Sequence, residues 1–212
     1  MRFASNVYEL CHQCEKSKVS LQNEMIRNVN WDMTREEWNE GKISLDHLLK
    51  KGTVNSLEYR CDQCQTTTTH STITTATSAP LRLFINISRR VNMLDRDVAN
   101  AAYFIHDAEN HSDVITYTVT CPKVLEYNVK VVDDNQFHDR QVRYSLLGVI
   151  CVTIQEEEPL KCHYDCHCVN EEGKWVHYDD YVSKDSDLIK DDEEVFDSNS
   201  VCGLFYKRLN NV

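Results

Sequence analysis

The sequence predicts an α+β protein in which a mostly antiparallel sheet dominates and two short helices come early. Three observations favour this fold class. Segments rich in Thr, Val, Ile and Tyr follow one another through most of the chain and indicate strands. Two segments before residue 53 carry helix start and stop signals. The 212 residues suffice for one domain with a substantial core and are too few for two large ones.

Both helices are predicted from the residues at their ends. Thr34 begins TREEWNEG, with Glu37 at the third helical position and Gly41 at the end, which is a capping-box pattern. Ser44 begins SLDHLLKKG, in which three leucines share one face and Gly52 ends the helix. We therefore expect one short helix in each segment.

The strands are predicted in chain order. NVYELCHQC alternates and then turns, and the stretch from LEYRCDQC to FINISRR continues as strand with a break at Pro80. Residues 91–113 are polar and irregular, which predicts an exposed insertion. VITYTVT, VLEYNVKVV and VRYSLLGVICVTIQ are three further strands. CHYDCHCV and KWVHYDD form a hairpin about a turn at residues 170–173, and VCGLFYKRL is the last strand.

The net charge of −11 bears on the class of partner. Nucleic acid and anionic membranes require a basic surface, so neither is expected as the main partner. A basic protein partner suits the charge better, and acid that merely solvates the surface is the alternative. The N-terminal region has no apolar run long enough for a secretory signal or a membrane span. We therefore expect an intracellular protein, in the cytoplasm or nucleus, whose 10 cysteines bind metal or stay reduced.

Two CxxC knuckles are the strongest local signal, Cys11 with Cys14 and Cys61 with Cys64. Two thiolates three positions apart reach one ion when the chain turns between them, and two such pairs complete a tetrahedral zinc site. A closed site of four cysteines is structural, so it contributes folding stability rather than chemistry. Four unrelated free thiols are the alternative.

The cluster of cysteines and histidines in CHYDCHCV is not expected to bind a second metal ion. An extended chain would place Cys162 and Cys166 about 13 Å apart. Thiolates on one zinc lie about 2.3 Å from the ion, so one straight strand cannot surround it. Alternation along the strand puts the cysteines on one face, which we expect to be core. It puts His163, Asp165 and His167 on the other face.

The same hairpin predicts an acid–base pair. If the turn centres on Glu171, positions that sum to 342 oppose each other and His163 faces Asp179. A carboxylate beside an imidazole fixes its tautomer and makes it a better base. A shift by one residue would pair His163 with Asp180 instead. A surface histidine that merely lies near a surface aspartate is the alternative.

The order of these motifs resembles that of the ubiquitin-specific proteases, cysteine peptidases that remove ubiquitin. The chain shows CxxC, CxxC, a strand after Pro80 that ends in two arginines, then TCPKVLEY, YSLLGVI, HY, WVHYDD and LFY. The match runs from about residue 8 to residue 208. Its specificity lies in the order and spacing of the motifs rather than in any one of them.

The resemblance implies a partial papain-like cysteine peptidase fold, with residues 1–212 as a single partial catalytic domain. Zinc-ribbon fingers would occupy about residues 5–30 and 54–80, and an antiparallel palm about residues 31–53 and 81–212. The four knuckle cysteines match the zinc ribbon at the fingertips. The implied partner is ubiquitin or a ubiquitinated protein, whose Arg-containing tail such enzymes hold in an acidic channel.

The resemblance also implies roles for three side chains. His163 matches the catalytic base, Asp179 the acid that orients it, and Asp180 a second acid that assists in some members. Cys162 replaces the family's glycine before the histidine, and Cys151 begins a stretch that lacks the family's further His-x-Gly. None of the 10 cysteines lies in the glycine- and asparagine-rich box that carries the family's nucleophile.

Three functions therefore remain open at this point. In the first hypothesis, the chain is the fingers and palm of a thiol-dependent deubiquitinase, which is inactive alone and is completed by an upstream cysteine box. Alternatively, it is a non-catalytic, zinc-containing module that binds ubiquitin. The third hypothesis is a zinc-stabilised β-domain with an unrelated partner.

Overall fold

The computed structural model describes residues 3–24, 26–29, 31, 33–51, 54–77, 79–92, 104–107, 112–133, 136–154, 162–180 and 182–209. The helices are α1 (Arg35–Asn39) and α2 (Leu45–Lys51). The strands are β1 (Phe3–Cys11), β2 (Ser17–Glu24), β3 (Ile26–Val29), β4 (Lys42–Ser44), β5 (Val54–Arg60), β6 (Thr67–Ala76), β7 (Arg82–Ile87), β8 (Arg90–Asn92), β9 (Phe104–Asp107), β10 (Ser112–Ile115), β11 (Thr118–Pro122), β12 (Val124–Asp133), β13 (Gln136–Ile154), β14 (Cys162–Val169), β15 (Trp175–Asp179), β16 (Val182–Asp185), β17 (Val195–Ser198) and β18 (Val201–Arg208).

The largest sheet, here called the main sheet, has eight strands. Its order is β16-β15-β14-β13-β18-β7-β3, with β12 paired to β13 beside this path. Strand β13 is 19 residues long and pairs with β12, β14 and β18, so it organises the sheet. Every pairing in the main sheet is antiparallel except that of β3 with β7. The prediction of a mostly antiparallel sheet, accompanied by two short helices, is confirmed.

A separate four-stranded sheet carries the two CxxC motifs and is called the knuckle sheet. Its order is β2-β1-β6-β5, and all of its pairings are antiparallel. Among its described side chains, Val7, Cys11, Cys61 and His70 are buried, whereas Leu10 and Val19 are exposed. Its described buried core is therefore small.

Both predicted helices are present, and both contribute buried side chains to the core. Thr34 caps α1: its hydroxyl accepts from the Glu37 backbone N–H at 3.4 Å, and the Glu37 carboxylate accepts from the Thr34 N–H at 2.6 Å. In α2, Leu45 and Leu48 are fully buried. Gly52, predicted to end α2, lies outside the described residues. Neither described helix combines the length and apolar character that crossing a membrane requires.

A small sheet of order β17-β11-β4 lies beside the helices and shares one buried cluster with them and the main sheet. Arg89, only 4% exposed, connects these parts. Its guanidinium donates to the backbone carbonyls of Val201 at 2.7 Å, Tyr117 at 2.6 Å and Ser198 at 3.3 Å. The carbon of the guanidinium lies 5.2 Å from the centre of the Trp31 ring. One buried cation therefore connects, through its hydrogen bonds, segments that are far apart in the sequence.

The prediction of an irregular insertion over residues 91–113 is wrong for the part that the structure describes. Strands β8, β9 and β10 form a three-stranded sheet of order β8-β10-β9. Strands of three or four residues contain too little alternation to stand out among polar neighbours. The rest of the segment, residues 93–103 and 108–111, lies outside the described residues.

Candidate functional site

The hairpin of β14 and β15 carries the predicted acid–base pair. The predicted turn is present, and Asn170 organises it. Its side-chain oxygen accepts from the backbone N–H groups of Glu172 at 3.0 Å and Lys174 at 2.9 Å. Gly173 has φ +82°, a left-handed conformation that favours glycine. The loop thus consists of three residues, closed by the 2.9 Å hydrogen bond from the Asn170 N–H to the Lys174 carbonyl.

The predicted register of this hairpin is wrong by two positions. His167 opposes His177 and Cys166 opposes Tyr178, so paired positions sum to 344 rather than 342. The three-residue loop places the centre of the hairpin at Glu172 instead of Glu171. A shift of the sum by two changes the partners but keeps each side chain on its predicted face. His163 and Asp179 are therefore diagonal neighbours on one face rather than directly opposed.

The structure nevertheless brings His163, Asp179 and Asp180 together. His163 Nε2 lies 2.6 Å from Asp179 Oδ1, and both side chains are 47% exposed. One donor atom from each of the three residues lies within 4.8 Å of the others. Asp180 has φ +49°, so the chain turns sharply where β15 ends. This turn accompanies the approach of both carboxylates to one imidazole.

The contact with Asp179 favours the protonated form of the imidazole. The hydrogen bond to Asp179 and its negative charge raise the pKa of His163 above 6.5, and Asp180 adds to the rise. With Nε2 donating to Asp179, the lone pair of the neutral ring lies on Nδ1. The arrangement can accept a proton at Nδ1 and stabilise the resulting imidazolium.

Replacing Asp179 with asparagine is expected to lower the pKa of His163 towards 6.5, because the hydrogen bond to a charged partner is lost. Since the folded-state pKa is raised, the stabilisation from this pair is complete below pH 6.5 and disappears as pH rises through the folded-state pKa. NMR titration of the His163 ring protons measures the shift. Asp180→Asn is the matched comparison and should lower the pKa less; equal effects of the two would contradict the assignment of Asp179 as the main partner.

No described cysteine forms a hydrogen bond with His163, whose recorded partner is Asp179. The six cysteines outside the knuckles all lie in strands, as the sequence predicted: Cys121, Cys151, Cys162, Cys166, Cys168 and Cys202. Burial raises the pKa of Cys151, Cys168 and Cys202 to about 11, and that of Cys121 still higher. A thiol with a raised pKa is a poor source of thiolate at neutral pH.

The predicted core face of β14 is wrong. Cys162 is exposed, and Cys166 and Cys168 are half-buried, whereas His167 on the opposite face is only 4% exposed. The segment after β16 contacts this opposite face, where Ser186 Oγ lies 2.8 Å from His167 Nδ1. Burial, with His177 nearby, lowers the pKa of His167. Local alternation cannot show which face a later segment will cover.

The four knuckle cysteines meet as predicted. Cys11 Sγ lies 3.9 Å from Cys64 Sγ, Cys14 Sγ lies 3.9 Å from Cys61 Sγ, and one sulfur from each of the four lies within 4.8 Å of the others. Four thiolates at 2.3 Å from one zinc ion would be separated by about 3.8 Å. The positions of the sulfurs therefore fit a tetrahedral zinc ion.

The two knuckles repeat the same backbone design. Glu15 donates its backbone N–H to the Cys11 carbonyl at 2.9 Å, and Gln65 donates to the Cys61 carbonyl at 2.8 Å. Both of these residues have a positive φ, 55° and 60°, which turns each chain about its cysteines. Hydrogen bonds from the hydroxyl and the backbone N–H of Thr66 lower the pKa of Cys64 to about 6.

Comparisons with known proteins show similarity at the level of the fold. No protein-family model and no curated protein sequence matches the chain. The structure is similar to the SAGA Ubp8/Sgf11/Sus1/Sgf73 DUB module bound to ubiquitin aldehyde, with a TM-score of 0.66 and 16% identity, over 100% of this chain and 42% of that chain. A structure of the yeast SAGA DUB module is similar with a TM-score of 0.66 and 13% identity, over 100% of this chain and 41% of that chain. The SAGA DUB module bound to monoubiquitin is similar with a TM-score of 0.63 and 14% identity, over 100% of this chain and 41% of that chain.

These identities show a shared fold, and the chain spans about two-fifths of the length of the chains that it matches. The resemblance to ubiquitin-specific proteases is thereby supported at the level of the fold. Sequence reasoning did not identify His177, Ser186 and Asp187, which lie close to His167 and come from later segments. Only the observed register and the return of the chain after β16 reveal them.

Proposed function

We propose that this chain is the fingers-and-palm part of a ubiquitin-specific-protease-like deubiquitinase. The observation that carries the proposal is the 2.6 Å contact between His163 Nε2 and Asp179 Oδ1 on a fold shared with a ubiquitin-aldehyde-bound DUB module. The reaction is hydrolysis of the peptide or isopeptide bond at the ubiquitin C-terminus. The nucleophilic thiol comes from outside these 212 residues, because the ten cysteines lie in knuckles or strands without a bond to His163.

His163 acts as general base and then as general acid. Its Nδ1 takes the proton of the incoming thiol, and the thiolate attacks the carbonyl carbon at the end of the ubiquitin tail. The imidazolium then protonates the leaving amine, which departs and leaves a thioester. A water molecule, deprotonated by the same nitrogen, hydrolyses this thioester and restores the thiol. Asp179 stabilises the imidazolium in both halves of the reaction, and Asp180 adds negative charge beside it.

The remaining features have supporting roles in this proposal. Zinc held by Cys11, Cys14, Cys61 and Cys64 would stabilise the knuckle sheet as the fingers that contact the body of ubiquitin. The net charge of −11 suits a partner whose tail contains arginine. A reducing intracellular compartment, cytoplasm or nucleus, would keep the thiols able to bind zinc.

A non-catalytic ubiquitin-binding module is the second candidate. It is favoured by the thiols whose pKa burial raises and by the absence of a described thiol bonded to His163. This candidate uses the same surface for binding and assigns no chemistry to the acid–base pair.

The chain alone is expected to bind ubiquitin and to remain unlabelled by an active-site-directed ubiquitin probe. Binding is measured by titration with isotopically labelled ubiquitin, and labelling by a mass shift. No binding at high micromolar concentration would reject both candidates, and covalent labelling would show that one of the ten cysteines is the nucleophile.

The two candidates are distinguished by the hydrolytic activity of the longer protein that is expressed when the coding sequence is extended upstream. If an in-frame cysteine box restores hydrolysis, His163→Gln should lower kcat/KM by about a factor of 10³ or more, because the thiol loses its base. His47→Gln, an exposed histidine on α2, is the matched control and should retain activity. A stop codon with no upstream exon, or full activity of His163→Gln, would count against the enzyme.

A further inference from the structure

A buried polar cluster on the main sheet has no role in the proposed reaction. Asp165, His167 and His177 share the same face of the β14–β15 hairpin, and their side chains are 14%, 5% and 13% exposed. The two imidazoles stack, with ring centres 4.4 Å apart and planes inclined by 9°. Two adjacent histidines on one strand pair are common ligands of transition metals.

Three buried atoms of this cluster lack a hydrogen-bond partner, although His167 Nδ1 lies 2.8 Å from Ser186 Oγ. Both ring nitrogens of His177 and one oxygen of Asp165 are buried without a hydrogen-bond partner. Asp165 Oδ1 lies 3.3 Å from His177 Nε2 and 3.6 Å from His167 Nε2, so it faces both rings without aligned bonds. Buried polar atoms without partners are destabilising unless something else satisfies them.

A third donor completes a set suited to a cation. One nitrogen from each of His167 and His177 and one carboxylate oxygen of Asp187 lie within 4.8 Å of one another. The three residues come from β14, β15 and the segment after β16, so the rise of a single strand does not limit their approach. Ligands at about 2.0–2.1 Å from zinc are separated by about 3.4 Å, so the donor atoms need to approach one another by at most about 1.4 Å.

We propose that His167, His177 and Asp187 bind one divalent transition-metal ion of the zinc class. Two imidazoles and one carboxylate are donors that zinc accepts, and they leave one coordination position open. Asp165 faces both Nε2 atoms and would orient the rings, as carboxylates behind metal-bound histidines do. The ion would then bind at Nδ1 of each ring and would displace Ser186 Oγ from His167 Nδ1.

The site is accessible from one side. The Asp187 side chain is 74% exposed, and its carboxylate lies 3.7 Å from Lys184 Nζ. An ion can therefore enter past Asp187 and displace this exposed ion pair, which contributes little stability. Once bound, the ion would cross-link the two strands of the hairpin and the segment that follows them. The inference does not depend on the proposed deubiquitinase activity.

Zinc binding to the full chain tests the site. The protein is first loaded with one equivalent of Zn²⁺ at the four cysteines, and further Zn²⁺ is added in a calorimetric titration. A second equivalent is expected. His177→Phe, which keeps a stacking ring, and Asp187→Asn, which is exposed and should fold, should each weaken the second binding about tenfold or more. Asp191→Asn, an exposed acid in the same acidic stretch, is the matched control and should leave it unchanged.

Two other sets of three donor atoms lie within 4.8 Å, that of Cys151, Asp165 and His167 and that of His163, Asp179 and Asp180. His177→Phe and Asp187→Asn leave the ligands of the first set unchanged and so distinguish it from the proposed site, whereas the second set needs its own variant. His163→Phe should leave the second equivalent intact. The proposal is overturned if wild-type protein takes up no second equivalent at 100-fold excess. It is equally overturned if His163→Phe abolishes the second binding, or if both His177→Phe and Asp187→Asn retain it. In every variant the first equivalent of zinc reports that the knuckle sheet is folded.

Discussion

Replacing Arg89 with methionine is expected to lower the free energy of unfolding by about 3 kcal/mol or more, because three interior hydrogen bonds from a charged donor are lost. Methionine retains much of the length of the side chain but donates no hydrogen bond. The carbonyls of Tyr117, Ser198 and Val201 would each lose a donor in the interior. An unsatisfied buried carbonyl costs about 1–3 kcal/mol.

Several features make this arginine difficult to replace. Burial lowers its pKa only to about 10, so it stays charged at neutral pH. Three of its nitrogens each reach a different carbonyl, and its face stacks over Trp31. A lysine has one charged nitrogen and cannot reproduce this fork, so Arg89→Lys should also be strongly destabilising.

Urea denaturation of Arg89→Met measures the effect, and Arg82→Met is the matched control. Arg82 is exposed at the start of β7, so its replacement should change the free energy of unfolding by less than about 0.5 kcal/mol. If Arg89→Met were as stable as the control, the three carbonyls would have found other partners. The role assigned to the guanidinium would then be wrong.

Replacing Cys61 and Cys64 with serine is expected to abolish zinc binding at the knuckles and to unfold the knuckle sheet. Structural zinc contributes an apparent 10–16 kcal/mol, roughly, to zinc-finger peptides near neutral pH. The described buried side chains of the knuckle sheet are few, and two of them are the proposed zinc ligands Cys11 and Cys61. Without the ion, the few buried side chains among those that the structure describes would not offset the entropy of ordering four strands.

Hydrogen exchange and zinc content test this second prediction. Amides of β1 and β6 should lose protection in the double variant, whereas amides of β13 and β18 should keep most of theirs, because they belong to the main sheet. Cys162→Ser alters an exposed cysteine and is the control, with zinc content and protection unchanged. A zinc-free double variant with normal protection in β1 and β6 would refute the structural role of the metal.

Local chemistry explains why the sequence predicted some features correctly. The capping box of Thr34 and Glu37 and the turn after Asn170 depend on residues only a few positions apart. The knuckle cysteines were identified from their spacing, although bringing the two pairs together requires the pairing of β1 with β6. His163 and Asp179 lie on one shared face as predicted, because side-chain alternation has a period of two and survives a register error of two.

The sequence by itself thus determined the mostly antiparallel strands, the two capped helices, the cysteine pairs and the face that carries His163 and Asp179. Tertiary structure alone decided the hairpin register, the burial of His167 and the carbonyls that surround Arg89. The physical reason is range. Caps and turns are set by neighbours along the chain, whereas burial depends on which distant segment covers a face. The segment after β16 covers His167 and brings Ser186 and Asp187 beside it, and no local pattern in β14 encodes that return.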